Sequence, residues 1–283
     1  MIALRDICYV RLGTTDLGEA ERFATAILGL EVAERRRGAL YLRSDQRAHT
    51  LCYVEGDPAE HVAGFEVADE VALEGAAAAL EALGHAVHAG TPAECEARRV
   101  RAFIGFRDPS GNAIELAVRP AHAGRRYAAA RAAGITGFSH IGLCSTDVVR
   151  DERFWTTVCN ARVSDRIGDV PLMRVNQVHH TIALFPSPQP GIQHVNHQVE
   201  STDDIMRSHA LLRERGVRIV FGPGRHPTSS ARFIYFEGPH GMVFEYSVGV
   251  RLVDEEAGRE RQFAFEPPSL CMWGSKPDIP AFR

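Results

Sequence analysis

The chain has 283 residues and a mass of 31.1 kDa, which suits one large domain or two domains of ordinary size. Its net charge of -4 gives no electrostatic reason to expect a nucleic acid or an anionic membrane surface as partner, and no apolar run is long enough to span a membrane. The six cysteines lack the spacing of a disulfide framework, and Arg5 and Asp6 stand where a signal peptide needs an apolar run. These features favour a cytoplasmic protein that acts on small molecules.

The first predicted elements recur later in the chain. Residues 6–32 read as an apolar strand, a Thr15-Asp16 step that can cap a helix, and an amphipathic helix with the run Glu-Arg-Phe. Residues 137–163 repeat this pattern around Thr146-Asp147, at a displacement of 146 - 15 = 131. An internal repeat of this size indicates how the whole fold is organised.

Two further blocks support the repeat. The segment that begins at His61 matches the segment that begins at His194 (194 - 61 = 133). FRDPSGNAIEL, from Phe106, matches FEGPHGMVFEY, from Phe236 (236 - 106 = 130). Three matches at nearly constant displacement predict a tandem duplication of the α+β class, in which each copy consists of two short β-α-β-β-β units.

The repeat divides the chain into four segments. Residues 1–118 are predicted to form a first domain and residues 135–250 a second domain. Residues 119–134 have no strand or helix periodicity and carry basic residues, as expected of a linker. The tail, residues 251–283, contains Trp273 and Phe282, and we expect it to pack onto the second domain or onto a neighbouring subunit.

The second copy contains eight of the thirteen histidines. His140 lies within the predicted strand FSHIGL, His194 begins the strand HVNHQV, and Glu245 lies between Phe244 and Tyr246 in the last strand. Taken alone, Glu245 is compatible with an exposed edge strand. Equivalent places in the repeat favour one shared face instead, and two histidines with one carboxylate are the ligand set of non-haem Fe(II) oxygenases. Mn(II) fits the same ligands.

Three further groups are candidates for the surroundings of such a metal: His180, His226 and Tyr235. A histidine can take a proton from a substrate and return it, and a tyrosine hydroxyl can donate a hydrogen bond to an oxygen that gains charge. His179 precedes His180, and neighbours in a strand face opposite ways, so only one of the two can reach the metal.

The second copy resembles the catalytic domain of the type I extradiol ring-cleavage dioxygenases of the vicinal oxygen chelate superfamily. The fingerprint of that family is a histidine, a tyrosine nine residues on, and a ligand glutamate ten residues after the tyrosine. His226, Tyr235 and Glu245 keep both spacings (235 - 226 = 9; 245 - 235 = 10). The resemblance covers both copies, roughly residues 5–250.

The resemblance implies three ligands for Fe(II), or for Mn(II): His140, His194 and Glu245. It implies that His180 is the acid-base histidine, because HTIAL matches the family's strand, and that His226 and Tyr235 bind the substrate through hydrogen bonds. The implied reaction opens a catechol ring beside its diol and inserts both atoms of O2. The family also leads us to expect a homo-oligomer.

The identity of the catechol is left open. The pocket walls are expected from residues 170–176, from residues 227–230 and from the tail around Trp273, which are mostly apolar or small. Such walls favour an alkyl- or aryl-substituted catechol. Arg174 and Arg225 would also allow a carboxylated one.

The first copy departs from the ligand pattern. Tyr9 stands where His140 stands, whereas His61 and Glu115 are predicted to keep the other two ligand places. Losing one ligand of three leaves the geometry incomplete, so this copy is expected to serve as a scaffold.

Two other functions on the same fold are alternatives to ring cleavage. A glyoxalase-type lyase or isomerase would draw ligands from both copies, and a small-molecule-binding resistance protein would need no complete ligand set.

Overall fold

The computed structural model of the chain describes residues 1–254 and 258–279, so Phe282 of the tail lies outside the described residues. The first half contains eight strands: β1 (Asp6–Thr14), β2 (Glu31–Arg36), β3 (Ala39–Arg43), β4 (Leu51–Glu55), β5 (His61–Val67), β6 (His88–Ala89), β7 (Ala102–Arg107) and β8 (Ala113–Val118). Its three helices are α1 (Leu17–Ala26), α2 (Glu70–Ala82) and α3 (Pro92–Arg98).

The second half and the tail contain nine strands: β9 (Ile135–Ser145), β10 (Arg162–Ile167), β11 (Val170–Arg174), β12 (Ile182–Pro186), β13 (Gly191–Val199), β14 (Ile219–Arg225), β15 (Arg232–Glu237), β16 (Val243–Val248) and β17 (Arg261–Phe263). The helices are α4 (Val148–Thr157), α5 (Thr202–Glu214) and α6 (Pro267–Leu270), with a 3-10 turn at Pro239–Gly241. None of the described helices has the length and apolar character that crossing a membrane requires.

Each half is built from two β-α-β-β-β units, which confirms the predicted tandem α+β fold. The units pair through antiparallel strands, β1 with β5 in the first half and β9 with β13 in the second. The resulting sheets run β2-β3-β4-β1-β5-β8-β7-β6 and β14-β15-β16-β13-β9-β12-β11-β10-β17. The strands that carry the candidate ligands, β9, β13 and β16, are therefore neighbours at the centre of the second sheet.

The two Thr-Asp steps cap helices, as predicted. Asp16 accepts a hydrogen bond from the backbone N–H of Glu19 at the start of α1, and Asp147 accepts one from Arg150 at the start of α4. An aspartate at this position satisfies a backbone donor that the helix leaves unpaired. The repeat thus extends to the local interactions that begin each helix.

The two halves share one continuous hydrophobic core. Phe23 of α1 packs against Phe244 of the second sheet with ring centroids 5.4 Å apart, and Phe65 of β5 packs against Trp155 of α4 at 5.5 Å. The linker forms no helix or strand, and its Arg131 donates hydrogen bonds to the first half and to Tyr246 of the second. Burial of large aromatic side chains across this boundary holds the halves in a fixed relation.

The tail lies against the second half. Its strand β17 pairs in parallel with β10, where Asp165 is opposite Arg261. Leu270 and Cys271 are buried, whereas Trp273 is 53% exposed. The tail therefore extends the second sheet and covers part of it.

Candidate metal centre

Glu245 lies on β16, which is paired on both sides, with β13 and with β15. Its neighbours Phe244 and Tyr246 are fully buried in the main core, and Glu245, with 1% exposure, faces the other side of the sheet. The exposed-edge interpretation of this residue is therefore wrong. A carboxylate buried in the middle of a sheet is costly unless a cation or several hydrogen bonds stabilise it.

His140 and His194 place nitrogen atoms beside that carboxylate. The Nε2 atom of His140 is 2.9 Å from Oε2 of Glu245, and Nε2 of His194 is 3.6 Å from the same oxygen. One ligand atom from each of the three residues lies within 4.8 Å of the others, and all three side chains are buried. The structure thus brings together the three residues that the sequence proposed as ligands.

The tautomer of His194 is set by its chain neighbour. The side-chain oxygen of Gln193 accepts a hydrogen bond from Nδ1 of His194, which leaves the lone pair of Nε2 directed at the carboxylate. Such a hydrogen bond to the outer nitrogen orients histidine ligands of metals. Gly142 makes room for this ring, because a Cβ atom there would come within 2.5 Å of Nδ1. Neither Gln193 nor Gly142 was predicted from the sequence, although a glycine inside an apolar strand is a signal of close approach.

The electrostatics of this cluster fit a divalent cation. Burial lowers the pKa of His140 and of His194 to about 3, so both rings are neutral at pH 7 and can offer lone pairs. Burial also raises the pKa of Glu245, which measures the cost of its charge in this place. Within the described part of the chain, its ion-pair partners are histidines alone. A metal ion would supply the positive charge that these side chains lack.

His180 lies next to the proposed ligands, and its ring centroid is 4.1 Å from that of His140. It lines the cavity described below, whereas His179 is turned away and its Nε2 contacts Asp165. The sequence had suggested that the two side chains face opposite ways as neighbours in a strand. They precede β12 rather than lying within it, and the Nδ1 atoms of the two rings are in contact. Burial holds the pKa of His180 well below its usual value, and the ring is neutral at pH 7.

His226 and Tyr235 lie on the opposite side of Glu245. The Nε2 atom of His226 is 3.9 Å from Oε1 of Glu245 and 3.3 Å from the hydroxyl of Tyr235. The carbonyl of Leu270, in the tail, accepts a hydrogen bond from Nδ1 of His226. Because Nδ1 carries the proton, Nε2 of His226 can only accept, and the hydroxyl of Tyr235 has two acceptors within reach, this nitrogen and the carboxylate of Glu245. Burial and the nearby charge of Glu245 raise the pKa of Tyr235 well above 10, so the hydroxyl keeps its proton.

The cluster opens into a cavity whose empty volume is about 480 Å³, its mouth included. His180, His194, His226 and Tyr235 supply polar groups at one end. The other walls share an apolar or small character and comprise Ile167, Val170, Leu172, Ala183, Phe185, Thr228, Ser229, Phe265 and Leu270. A cavity of this kind suits a small molecule with one polar edge and an apolar body.

Parts of the predicted pocket wall differ from the structure. The tail contributes Phe265 and Leu270 rather than Trp273, which points to solvent. Neither Arg174 nor Arg225 is among the described residues that line the cavity. Arg174 donates instead to the carbonyl of Val163 and to the hydroxyl of Ser164, in the neighbouring strand β10. The structure therefore withdraws the support that these arginines gave to a carboxylated substrate.

In the first half, the sequence-based assignment of His61 as a ligand equivalent is wrong. His194 pairs with Gly142 of β9 and with Val243 of β16. The corresponding pairs in the first half, with Arg11 and Ala113, are made by Val62. The register differs because the second half has a β-bulge between Ile192 and His194, which adds one residue that a direct comparison of the sequences does not reveal.

The first half fills the equivalent of the metal position with its own side chains. Tyr9 corresponds to His140, and its hydroxyl donates to Glu115 over 2.7 Å. Arg98 donates two hydrogen bonds to the other oxygen of this carboxylate, Oε1, from Nε at 2.8 Å and from a terminal guanidinium nitrogen at 2.6 Å. The buried charge of Glu115 is thus already compensated, and no lone-pair donor remains at the position of Val62.

The sequence of the chain matches the model of the glyoxalase/bleomycin resistance protein/dioxygenase superfamily twice, over residues 7–116 and 137–246. The chain belongs to this superfamily. The two matched segments correspond to the two halves of the fold, and the second contains the whole candidate metal cluster.

Within the superfamily, the chain is similar along its full length to ring-cleaving enzymes. It is 28% identical to an iron-dependent extradiol dioxygenase of Rhodococcus jostii strain RHA1, over 96% of this chain and 97% of that protein. It is 29% identical to the biphenyl-2,3-diol 1,2-dioxygenase of Pseudomonas sp. strain KKS102, over 97% of this chain and 98% of that protein.

A solved structure of this superfamily gives a second point of comparison. The Mn(II)-bound glyoxalase of Novosphingobium aromaticivorans superposes with a TM-score of 0.88 at 26% identity, covering 100% of this chain and 94% of that one. The fold is therefore common to members with different named activities.

Proposed function

We propose that this protein is an Fe(II)-dependent extradiol dioxygenase that cleaves a catechol carrying an apolar substituent, with insertion of both atoms of O2. The observation that carries the proposal is the cluster of His140, His194 and Glu245, which reaches the polar end of an otherwise apolar cavity through His194. Two histidines and one carboxylate leave coordination positions free for a substrate and O2.

The relatives support both the reaction and the metal. Full-length relatives at 28% and 29% identity are named as extradiol or biphenyl-2,3-diol dioxygenases, and one of them is named as iron-dependent. Similarity over whole chains matters here, because the ligands come from three strands that are far apart in sequence. Mn(II) has the same ligand preferences and would fit the same three residues.

Fe(II), when bound, would supply the redox chemistry that joins the catechol to O2 and would favour the ionised diol. The side chains supply the rest. His180 lies on the cavity side of His140, where a neutral imidazole can accept a proton from the substrate and return it later. Tyr235 keeps its proton and can donate a hydrogen bond to an oxygen on which negative charge develops.

The apolar walls favour one class of substrate. Leu172, Ala183, Phe185 and Leu270 offer no charged or strongly polar group to a substituent. An alkyl or aryl group would be desolvated there at a gain of roughly 25 cal/mol per Å² of apolar surface. A carboxylate would lose its hydration without gaining a partner among the described lining residues. We therefore place 3-aryl- and 3-alkylcatechols ahead of dihydroxybenzoates.

The glyoxalase alternative has support from one structural neighbour. A site shared between the halves would require ligands in the first half, where Tyr9 and Val62 stand at the positions of His140 and His194 and where Arg98 pairs with Glu115. A purely binding protein would gain nothing from a buried carboxylate whose ion-pair partners among the described residues are neutral histidines. Both alternatives are therefore weaker than ring cleavage.

The test is anaerobic reconstitution with Fe(II), followed by oxygen uptake and visible absorbance with 3-phenylcatechol and 3-methylcatechol. We expect one O2 consumed per catechol and a yellow ring-opened product. Glu245→Ala should lose both metal and activity. His180→Phe should keep the metal and lower turnover by about 10²- to 10⁴-fold, the usual contribution of a general acid-base group. Bound iron without oxygen uptake on any catechol would instead favour a lyase or isomerase.

We also propose that the protein forms a homo-oligomer. Met272 and Trp273 of the tail are 58% and 53% exposed, and Phe265 is 47% exposed. Large apolar side chains that lie close together in the chain and face solvent are typical of contact surfaces. The elution volume in gel filtration tests this proposal, and a monomer would contradict it.

A further inference from the structure

Behind His180 lies a row of buried polar side chains that the proposed reaction has not used. The Nδ1 atom of His180 is 3.0 Å from Nδ1 of His179, and Nε2 of His179 is 2.9 Å from Oδ2 of Asp165. His179 and Asp165 are fully buried. The row begins in β10, passes through the segment before β12 and ends at the cavity.

The direction of each hydrogen bond in this row follows from the chemistry of its ends. Asp165 also receives hydrogen bonds from Arg251 and Arg261, two side chains that hold it in the ionised form. Although burial opposes it, hydrogen bonds from His179 and Arg261 lower the pKa of Asp165 to about 2. A carboxylate can only accept, so Nε2 of His179 carries a proton and donates it.

The second nitrogen of His179 is then the acceptor. Burial lowers the pKa of His179, so the ring is neutral at pH 7 and has a single proton, which is the one on Nε2. Its Nδ1 atom therefore offers a lone pair, and the hydrogen bond between the two rings requires the proton to be on Nδ1 of His180. This leaves Nε2 of His180 without a proton on the side of the ring that lines the cavity.

We propose that Asp165 and His179 are positioning residues that hold His180 in the tautomer with its proton on Nδ1 and the lone pair of Nε2 directed into the cavity. An imidazole in water favours a proton on Nε2, and that tautomer would present a donor where the reaction needs an acceptor. The ionised carboxylate of Asp165 thus fixes the tautomer of His179, and His179 in turn fixes the tautomer and orientation of His180, the acid-base group. This inference rests on the proposed function for its catalytic consequence, but the tautomer itself does not.

The tail completes this arrangement. Arg261 lies opposite Asp165 in the pairing of β17 with β10, and it donates to both carboxylate oxygens. Arg251 adds a third contact at 3.1 Å. Removing His179 therefore leaves Asp165 paired with two guanidinium groups, so a variant at His179 does not create an isolated buried charge.

The experiment measures the tautomer directly. Long-range proton–nitrogen correlation spectra of the full-length chain, labelled with 15N-histidine and loaded with diamagnetic Zn(II), distinguish a protonated Nδ1 from a protonated Nε2. We expect a protonated Nδ1 at His180 in the wild type, with the signals assigned through His180→Gln. In His179→Phe, His180 should change to the tautomer with the proton on Nε2. A protonated Nε2 in the wild type would overturn the proposal without any variant.

Kinetics of the Fe(II) enzyme test the consequence. His179→Phe should lower kcat by about 10- to 100-fold, the usual effect of removing a partner of an active-site histidine, with little change in KM. The matched control is His197→Phe, which also replaces a fully buried imidazole in the second half but contacts neither His179 nor His180, and it should keep the wild-type tautomer and kcat. Unchanged kcat in His179→Phe would overturn the positioning role.

The outcomes separate this inference from the proposed function. A wild-type enzyme that cleaves no catechol would refute the function, while the spectra would still report which nitrogen of His180 carries the proton. An active enzyme in which His179→Phe leaves the His180 tautomer unchanged would refute only the role of His179.

Discussion

His197 and His49 are buried imidazoles outside the cavity, and they make the stability of the protein sensitive to acid. Among the residues that the structure describes, neither nitrogen of the His197 ring has a hydrogen-bond partner, and Nε2 of His49 has none either. Burial lowers the pKa of each to about 3. An unfolded histidine titrates near 6.5, so below that pH the unfolded chain binds protons that the folded chain excludes. The free energy of unfolding therefore decreases as the pH is lowered below about 6.5, by up to about 1.4 kcal/mol per pH unit for each histidine.

Replacing His197 by phenylalanine should remove one of these contributions. The ring would pack beside Phe138, whose centroid is 5.9 Å from that of His197. Between about pH 7.5 and pH 5, the variant should lose about 2 kcal/mol less unfolding free energy than the wild type, as measured by urea unfolding. His49→Phe should have a similar and additive effect, because the two sites lie in different halves. Equal losses in variant and wild type would show that His197 titrates normally in the folded state.

At the scale of elements, the sequence predicted the order of strands and helices because the repeat carried it. Two copies of one pattern identified the helix caps at Asp16 and Asp147 and assigned the three ligand strands to one face of the second sheet. It could not predict the register of β5, because the extra residue at Gln193 adds no hydrophobic signal to either strand. The assignment of His61 failed for this reason, and the pairing of Val62 revealed the error.

The row from Asp165 to His180 escaped prediction for a similar reason. Nothing in the spacing of Asp165 and His179 shows that they meet, since β10 and the segment before β12 come together only through the pairing of β11 with its neighbours. The contribution of the tail to the cavity was equally impossible to predict from the sequence. Its aromatic residues predict packing, but only the fold shows that Leu270 rather than Trp273 reaches the cavity.

The short helix α6 gives a prediction about substrate preference. Leu270 closes one end of the cavity with its side chain, while its carbonyl receives the hydrogen bond from His226. Leu270→Ala removes only the apolar wall, at a cost of about 1–3 kcal/mol of binding to a substituent that fills it. We expect kcat/KM for 3-phenylcatechol to fall about 10-fold or more relative to kcat/KM for unsubstituted catechol.

Trp273→Ala is the matched control for this experiment. It removes a larger apolar side chain from the same tail, but one that is half exposed and is not among the described lining residues. The ratio of the two kcat/KM values should stay that of the wild type. An equal change in both variants would assign the effect to loosening of the tail rather than to the cavity wall.

At the scale of the whole molecule, the duplication has produced two buried glutamates, and the cost of burying the charge is offset differently in each half. Glu115 is paired with the guanidinium of Arg98 and with the hydroxyl of Tyr9, whereas Glu245 lies beside neutral histidines, two of which line the open cavity. A protein cation in the first half and a metal ion in the second would each offset the cost of burial. Because the halves share one core, the first half can support the second without binding a metal itself.

This division predicts one metal ion per chain. Metal analysis of the Fe(II)-reconstituted protein should give a ratio near one for the wild type and for Glu115→Gln, and near zero for Glu245→Ala. Glu115→Gln keeps an oxygen acceptor for Tyr9, so it tests the first half with little disturbance. Tyr9→His should also leave the ratio near one, because Val62 still offers no ligand and Arg98 still neutralises Glu115. A second equivalent of iron in the wild type, lost in Glu115→Gln, would show that the first half binds metal despite this pairing.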